Sequence, residues 1–128
     1  MEDRYLCRAK QTDNKNNSEW VEGLLTKRWG QLCVIKLDDE NTAYPIDPAT
    51  ICQCTGIPDK NGKLMFEKDI AKSEDLDGNP IITSIVWYRD GWYLKEGDLV
   101  DCKLADSSDA IAVIGNEFDD KELLESYE

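Results

Sequence analysis

A chain of 128 residues with 41% hydrophobic and 33% charged side chains buries enough apolar surface for one core, which excludes both a disordered chain and two large domains. Its 15 Lys and Arg against 27 Asp and Glu give a formal charge of −12 with no histidine, which disfavours direct nucleic-acid binding and removes the commonest catalytic base and metal ligand. Five cysteines, an odd number, and no hydrophobic N-terminal stretch predict thiols in a reducing cytosol, and no apolar run is long enough to span a bilayer.

In chain order, Arg4 to Lys10 alternates as a strand and Asp13 to Glu19 is a polar, Asn-rich loop. Trp20 to Thr26 and Trp29 to Leu37 are rich in aromatic and β-branched residues and predict a hairpin, broken at Gly30 and at Asp38-Asp39-Glu40-Asn41. Tyr44 to Ile46 and Thr50 to Thr55 read as short strands, with Pro45 and Pro48 suited to an edge. The stretch Thr55 to Lys63 carries Gly56, Pro58 and Asn61-Gly62 and predicts a turn.

Leu64 to Lys72 leads to a second loop, Ser73 to Pro80, and then to the strand Ile81 to Tyr88. Arg89-Asp90-Gly91 joins that strand to Trp92-Tyr93-Leu94, and Asp-Gly between β-rich segments signals a hairpin. Leu99 to Leu104 is a further strand, Ala105 to Asp109 a loop, and Ala110 to Asn116 the last extended run. Asp119 with Glu122 fits a capping box, and Leu123, Leu124 and Tyr127 share one side of a short terminal helix. So short a helix needs a surface to dock on, either the body of the protein or a neighbouring subunit.

Several motifs recur in a fixed order: Arg8-Ala9, then Gln53-Cys54-Thr55-Gly56-Ile57-Pro58-Asp59-Lys60-Asn61-Gly62-Lys63, then Phe66-Glu67-Lys68-Asp69-Ile70, and last Val113-Ile114-Gly115-Asn116 followed by Glu122-Leu123-Leu124. This ordered set resembles the YopX family of phage and prophage proteins over nearly the whole chain. Two positions depart from the family: Lys68 stands where members commonly carry glycine, and Lys10-Gln11 where they carry an aromatic-Asp pair. The resemblance implies a phage- or prophage-encoded bacterial protein with a β-rich core that forms a homo-oligomer. It implies no enzymatic activity. The motif residues Thr55, Gly56, Asp59, Asn61, Gly62, Glu67, Asp69, Ile70, Ile114, Gly115 and Asn116 are accordingly expected to be structural.

Little in the chain points to reaction chemistry. No phosphate-binding glycine loop, dinucleotide fingerprint or paired Cys-x-x-Cys occurs, and no cofactor or metal is expected. Glu67 and Asp69 would share one face of a strand and hold a metal, although turn chemistry, with Asp69 accepting from nearby backbone amides, is the simpler reading. Cys52 and Cys54 also share a side, and lack the spacing of a zinc site. They read as small buried hydrophobes. Trp87, Tyr88, Trp92 and Tyr93 send one aromatic from each strand to each face, for cross-strand packing or, with Leu123 and Leu124, for a subunit interface.

The expected architecture is mainly β: a small, partly open barrel or sandwich of short antiparallel strands with a short C-terminal helix. It is one domain over 1–128, divisible into an N-terminal β arm (1–55), a small barrel (56–116) and the helix (117–128). The expected function is non-enzymatic, through homo-oligomeric assembly or binding of a host protein, without membrane contact. Residues 96–128 carry 11 acidic and 2 basic side chains. That concentration makes phosphate mimicry toward a host DNA-binding protein the first alternative, and a metal-dependent nucleic-acid enzyme using Glu67 and Asp69 the second.

Overall fold

Buried positions recur along the extended segments and alternate with more exposed ones at Cys7–Lys10 and at the start of Trp20–Arg28, and a strand that buries every second side chain lays one face on a core. A computed structural model describes residues 6–12 and 19–125. The expected positions Arg4, Tyr5, Tyr127 and Glu128, and the Asn-rich loop at 13–18, lie outside the described residues. The chain forms two compact units, 1–54 and 55–128, built from two open antiparallel sheets. Among the described residues no helix is long and apolar enough to cross a membrane.

In the first unit β1 (Cys7–Lys10), β2 (Trp20–Arg28), β3 (Gln31–Lys36) and β4 (Asp39–Pro45) are followed by a 3-10 turn, Pro48–Thr50, and by β5 (Cys52–Pro58). Their order is β4-β3-β2-β1-β5, so Pro45 falls on an edge strand, where its missing N–H breaks no ladder. Cys7, Ala9, Val21, Val34 and Ile46 form the core, flanked by Leu32, Tyr44 and Ile51. The 3-10 turn is tied to β1: the Asp47 carboxylate accepts from Ala49 N–H at 3.0 Å, and the Lys10 N–H donates to Thr50 Oγ1 at 2.8 Å. Gly23 is obligatory for a steric reason, since a Cβ there would collide with the Ile35 carbonyl oxygen.

Two expectations fail here. Trp29 is not in β3: Trp29 and Gly30 are the two-residue turn between β2 and β3, with φ of 55° and 79°, and Arg28 pairs directly with Gln31. A turn matching the twist of its strands needs positive φ at its centre, and Gly30 supplies only half of that. The acidic cluster at 38–41 is no loop either, because the turn is confined to 37–38 and β4 starts at Asp39.

In the second unit β5 pairs with β6 (Leu64–Phe66). β7 (Asp69–Glu74), β8 (Pro80–Tyr88), β9 (Gly91–Glu96), β10 (Leu99–Lys103) and β11 (Ala112–Asn116) make a sheet of order β10-β9-β8-β7-β11. The crossover from β10 to β11 runs through α1 (Leu104–Ser107) and a 3-10 turn, Ser108–Ala110, where the sequence predicted a loop. Buried Leu104 and Ile111 bracket this segment and anchor it in a core with Met65, Ala71, Ile85 and Leu94, which is why a short polar run is ordered. The terminal helix α2 (Lys121–Glu125) lies against β8 with Leu123 and Leu124 half-buried.

The predicted turn at 55–63 is also shorter than expected. β5 continues through Pro58, with Gly56 at φ 77° inside it, and only 59–63 reverses the chain. In the β8–β9 hairpin the turn is Arg89-Asp90, because Tyr88 pairs with Gly91; Arg89, at φ 58°, takes the left-handed position instead of the glycine.

Candidate functional site

The motif residues meet in a network of side-chain to backbone bonds in the second unit. Asp59 Oδ1 accepts the N–H groups of Asn61 at 2.8 Å and Lys63 at 3.0 Å, while Oδ2 accepts that of Val113 on β11 at 2.9 Å. Gly62, at φ 84°, lets the turn close onto Asp59. Burial pushes the Asp59 carboxyl up, but the three backbone donors, with Lys63 nearby, outweigh it and hold the group below the usual carboxylate range. Thr55 Oγ1 donates to the Met65 carbonyl at 2.8 Å and accepts from Ile57 N–H at 3.0 Å, locking β5 to β6.

Glu67 and Asp69 do not share a strand face. Glu67 and Lys68 form the turn between β6 and β7, and buried Asp69 accepts the Phe66 N–H at 2.8 Å. The metal-binding geometry read from a continuous strand is therefore lost, whereas the backbone-accepting role of Asp69 is present in a buried setting. Lys68 sits at φ 69°, so the family's glycine at this position has a conformational reason: left-handed backbone. Its N–H donates to Ile85 O at 2.8 Å, its carbonyl accepts from Glu117 N–H at 2.9 Å, and its ammonium stands 5.0 Å from the Phe118 ring.

The late motif closes the same unit. Ile70 is fully buried on β7, and Ile114 is 40% exposed on the edge strand β11. At Gly115 a Cβ would strike the Asp120 carboxylate, which instead accepts the Asn116 N–H at 3.1 Å. Asn116 Oδ1 accepts from Phe118 and Asp119, each at 2.9 Å, and organises the entry to α2. Beside it burial raises Glu117 above its ordinary carboxylate value, against the opposing effect of Lys68 and Lys95.

Cysteine chemistry is muted. Cys52 and Cys54 are fully buried, and burial with the neighbouring Cys52 pushes the Cys7 thiol up to about 11. Cys102 is exposed. Among the described residues no three Cys, Asp or Glu side chains gather as a metal site would require.

Exposed tryptophan side chains lie at or near hairpin tips. Trp87 and Trp92 meet edge to face at 5.1 Å, and Tyr88 and Tyr93 at 5.9 Å, one pair on each side of the β8–β9 hairpin. Trp92 packs on the core; Trp87 remains 56% exposed. Sequence reasoning missed the tip of the β2–β3 hairpin, where Trp29 is 98% exposed. The signal was Trp-Gly at a hairpin centre, read as the start of a strand. Finally, the core face of the second sheet opens at one end into a cavity of about 220 Å³ lined by Ile81, Thr83, Leu94 and Ile111 with Glu74 and Glu96.

No curated protein matches the chain. A solved structure, protein EF1440 from Enterococcus faecalis, is similar at 26% identity and a TM-score of 0.54, over 92% of this chain and 96% of that one. The YopX protein family matches residues 2–125. With that match spanning nearly the whole sequence and its motif residues forming one connected network, the chain belongs to the YopX family.

Proposed function

We infer that the chain is a non-enzymatic accessory protein of a phage or prophage, acting in the bacterial cytoplasm by self-association. One observation carries this reading: large aromatic side chains stand exposed on hairpin tips, Trp29 at 98% and Trp87 at 56%. Aromatic side chains presented this way are characteristic contact anchors. The engagement of Asp59 and Asp69 by backbone donors supports a structural role for the motif carboxylates. Size-exclusion chromatography with light scattering is expected to give an oligomer at micromolar concentration; a clean monomer would contradict the reading.

A second reading, phosphate mimicry toward a host DNA-binding protein, is favoured by the exposed acids Glu96, Asp98, Asp106, Asp109 and Asp119. It predicts capture of a basic host protein that weakens as salt rises. Capture indifferent to salt counts against it.

A further inference from the structure

Residues 23–37 run against the charge of the chain. They contain Lys27, Arg28 and Lys36 and no acidic side chain, in a protein of net charge −12. They form the β2–β3 hairpin, and every residue from 27 to 31 at its tip is exposed. Paired strands hold this tip rigid up to Arg28 and Gln31. The result is a finger that presents one indole beside two cations, Lys27 and Arg28, which precede it on β2.

The cavity on the second sheet has the complementary features. Its floor is Leu94 and Ile111, its walls Ile81 and Thr83, and its rim carries exposed Glu74 and Glu96. Among its described lining groups none is cationic. Three other cavities each carry at least one lysine: Lys60 and Lys72, Lys103, or Lys36. Charge therefore selects this one for a basic finger. An apolar cavity of about 150 Å³ already takes up benzene, so about 220 Å³ has room for an indole.

The geometry points to a head-to-tail contact in which Trp29 of one copy enters this cavity on a second copy, with Lys27 and Arg28 meeting Glu74 and Glu96. The inference rests on the self-association reading. Finger and receptor are different surfaces, so each copy offers both, and assembly proceeds to a ring or an open chain rather than a two-fold dimer. Desolvation of the indole is the main source of affinity, and the flanking charges set orientation and reject wrong partners.

The test uses full-length protein in light scattering. A finger variant, Lys27→Glu/Arg28→Glu, and a receptor variant, Glu74→Lys/Glu96→Lys, each place like charges across the contact and are expected to be monomeric alone. Mixed, they present opposite charges at both cross-contacts, the native finger against the native receptor and the two altered surfaces against each other, and are expected to reassemble into an oligomer of 1:1 composition. Trp29→Ala weakens wild-type association by at least about tenfold. All five substituted side chains are exposed, and circular dichroism of the Trp87–Trp92 pair reports whether each variant is folded. If the wild type assembles and either charge variant still assembles like it, the finger contact is wrong and self-association stands. A monomeric wild type at the highest attainable concentration overturns both. Retention of a single-stranded oligonucleotide by that monomer through Trp29 overturns the contact in favour of base stacking.

Discussion

Lys68→Gly separates two opposing effects at the β6–β7 turn. A non-glycine residue in left-handed backbone is disfavoured by about 1–2 kcal/mol, and glycine recovers this less about 0.5–1 kcal/mol for its freer unfolded chain. Backbone relief alone therefore stabilises by somewhat under about 1 kcal/mol. Against it stands the ammonium over the Phe118 ring at 5.0 Å, a contact of about 0.5–1 kcal/mol at a partly exposed site. The bonds from Lys68 N–H to Ile85 and from Glu117 N–H to Lys68 O are made by backbone and survive the substitution.

Lys68→Gly is thus expected to be near neutral in the wild-type background and stabilising by about 0.5–1 kcal/mol in Phe118→Leu, where the ring contact is already gone. Urea unfolding of the four proteins, followed through the circular dichroism of the Trp87–Trp92 pair, closes the cycle. Loss of more than about 1 kcal/mol in both backgrounds would refute the reasoning, because it would mean that the left-handed turn carries no strain for glycine to relieve.

Three further outcomes follow from the geometry. Gly23→Ala drives a methyl into the Ile35 carbonyl and is expected to destabilise the first unit by about 2–3 kcal/mol or prevent its folding, measured by chemical denaturation. Asp59→Asn puts an amide donor against a backbone N–H and should lose about 1–3 kcal/mol at neutral pH. Because the folded Asp59 pKa is lowered, its stabilisation is complete above about pH 4 and is lost as pH falls through the folded value, so the gap between wild type and variant should narrow in acid. Glu117 has the opposite sign: its raised folded pKa means that ionisation opposes folding above its ordinary value, and Glu117→Gln should stabilise at neutral pH with the gain vanishing in acid.

Strands were legible where β-branched and aromatic residues ran together, as in Ile81 to Tyr88, and the order of motif residues was enough to place the family. Boundaries slipped where a residue adopted a conformation its side chain does not advertise. Lys68 and Arg89 occupy left-handed positions at φ 69° and 58°, so the stretch 64–72 turned at 67–68 and Gly91, expected in the turn with Arg89 and Asp90, moved into the ladder. The ordered crossover at 104–110 was read as a loop because its local composition is polar, and only its distant contacts through Leu104 and Ile111 hold it. The cavity beside Glu74 and Glu96 was invisible because it is assembled from four strands and the crossover, none of which carries a motif for it.

The same five-residue turn is built twice. Asp59-Lys60-Asn61-Gly62-Lys63 and Asp75-Leu76-Asp77-Gly78-Asn79 share one wiring: the first aspartate accepts N–H groups two and four residues on, and the glycine takes φ of 84° or 83°. Only the first is buried and bonded onward to β11, and only the first lies in the ordered family motif, so the turn alone does not account for the motif; its anchoring of β11 does.

Among the described residues, the three non-glycine left-handed positions divide in the same way. Lys68 has the Phe118 ring and Arg89 the Tyr88 ring at 5.1 Å to offset the strain. Trp29, at φ 55° and 98% exposed, has an indole that buries almost no surface among the described residues. Left-handed backbone disfavoured by about 1 kcal/mol or more is therefore not offset by burial of that indole in the folded unit, and the proposed finger contact would supply such burial on a second copy.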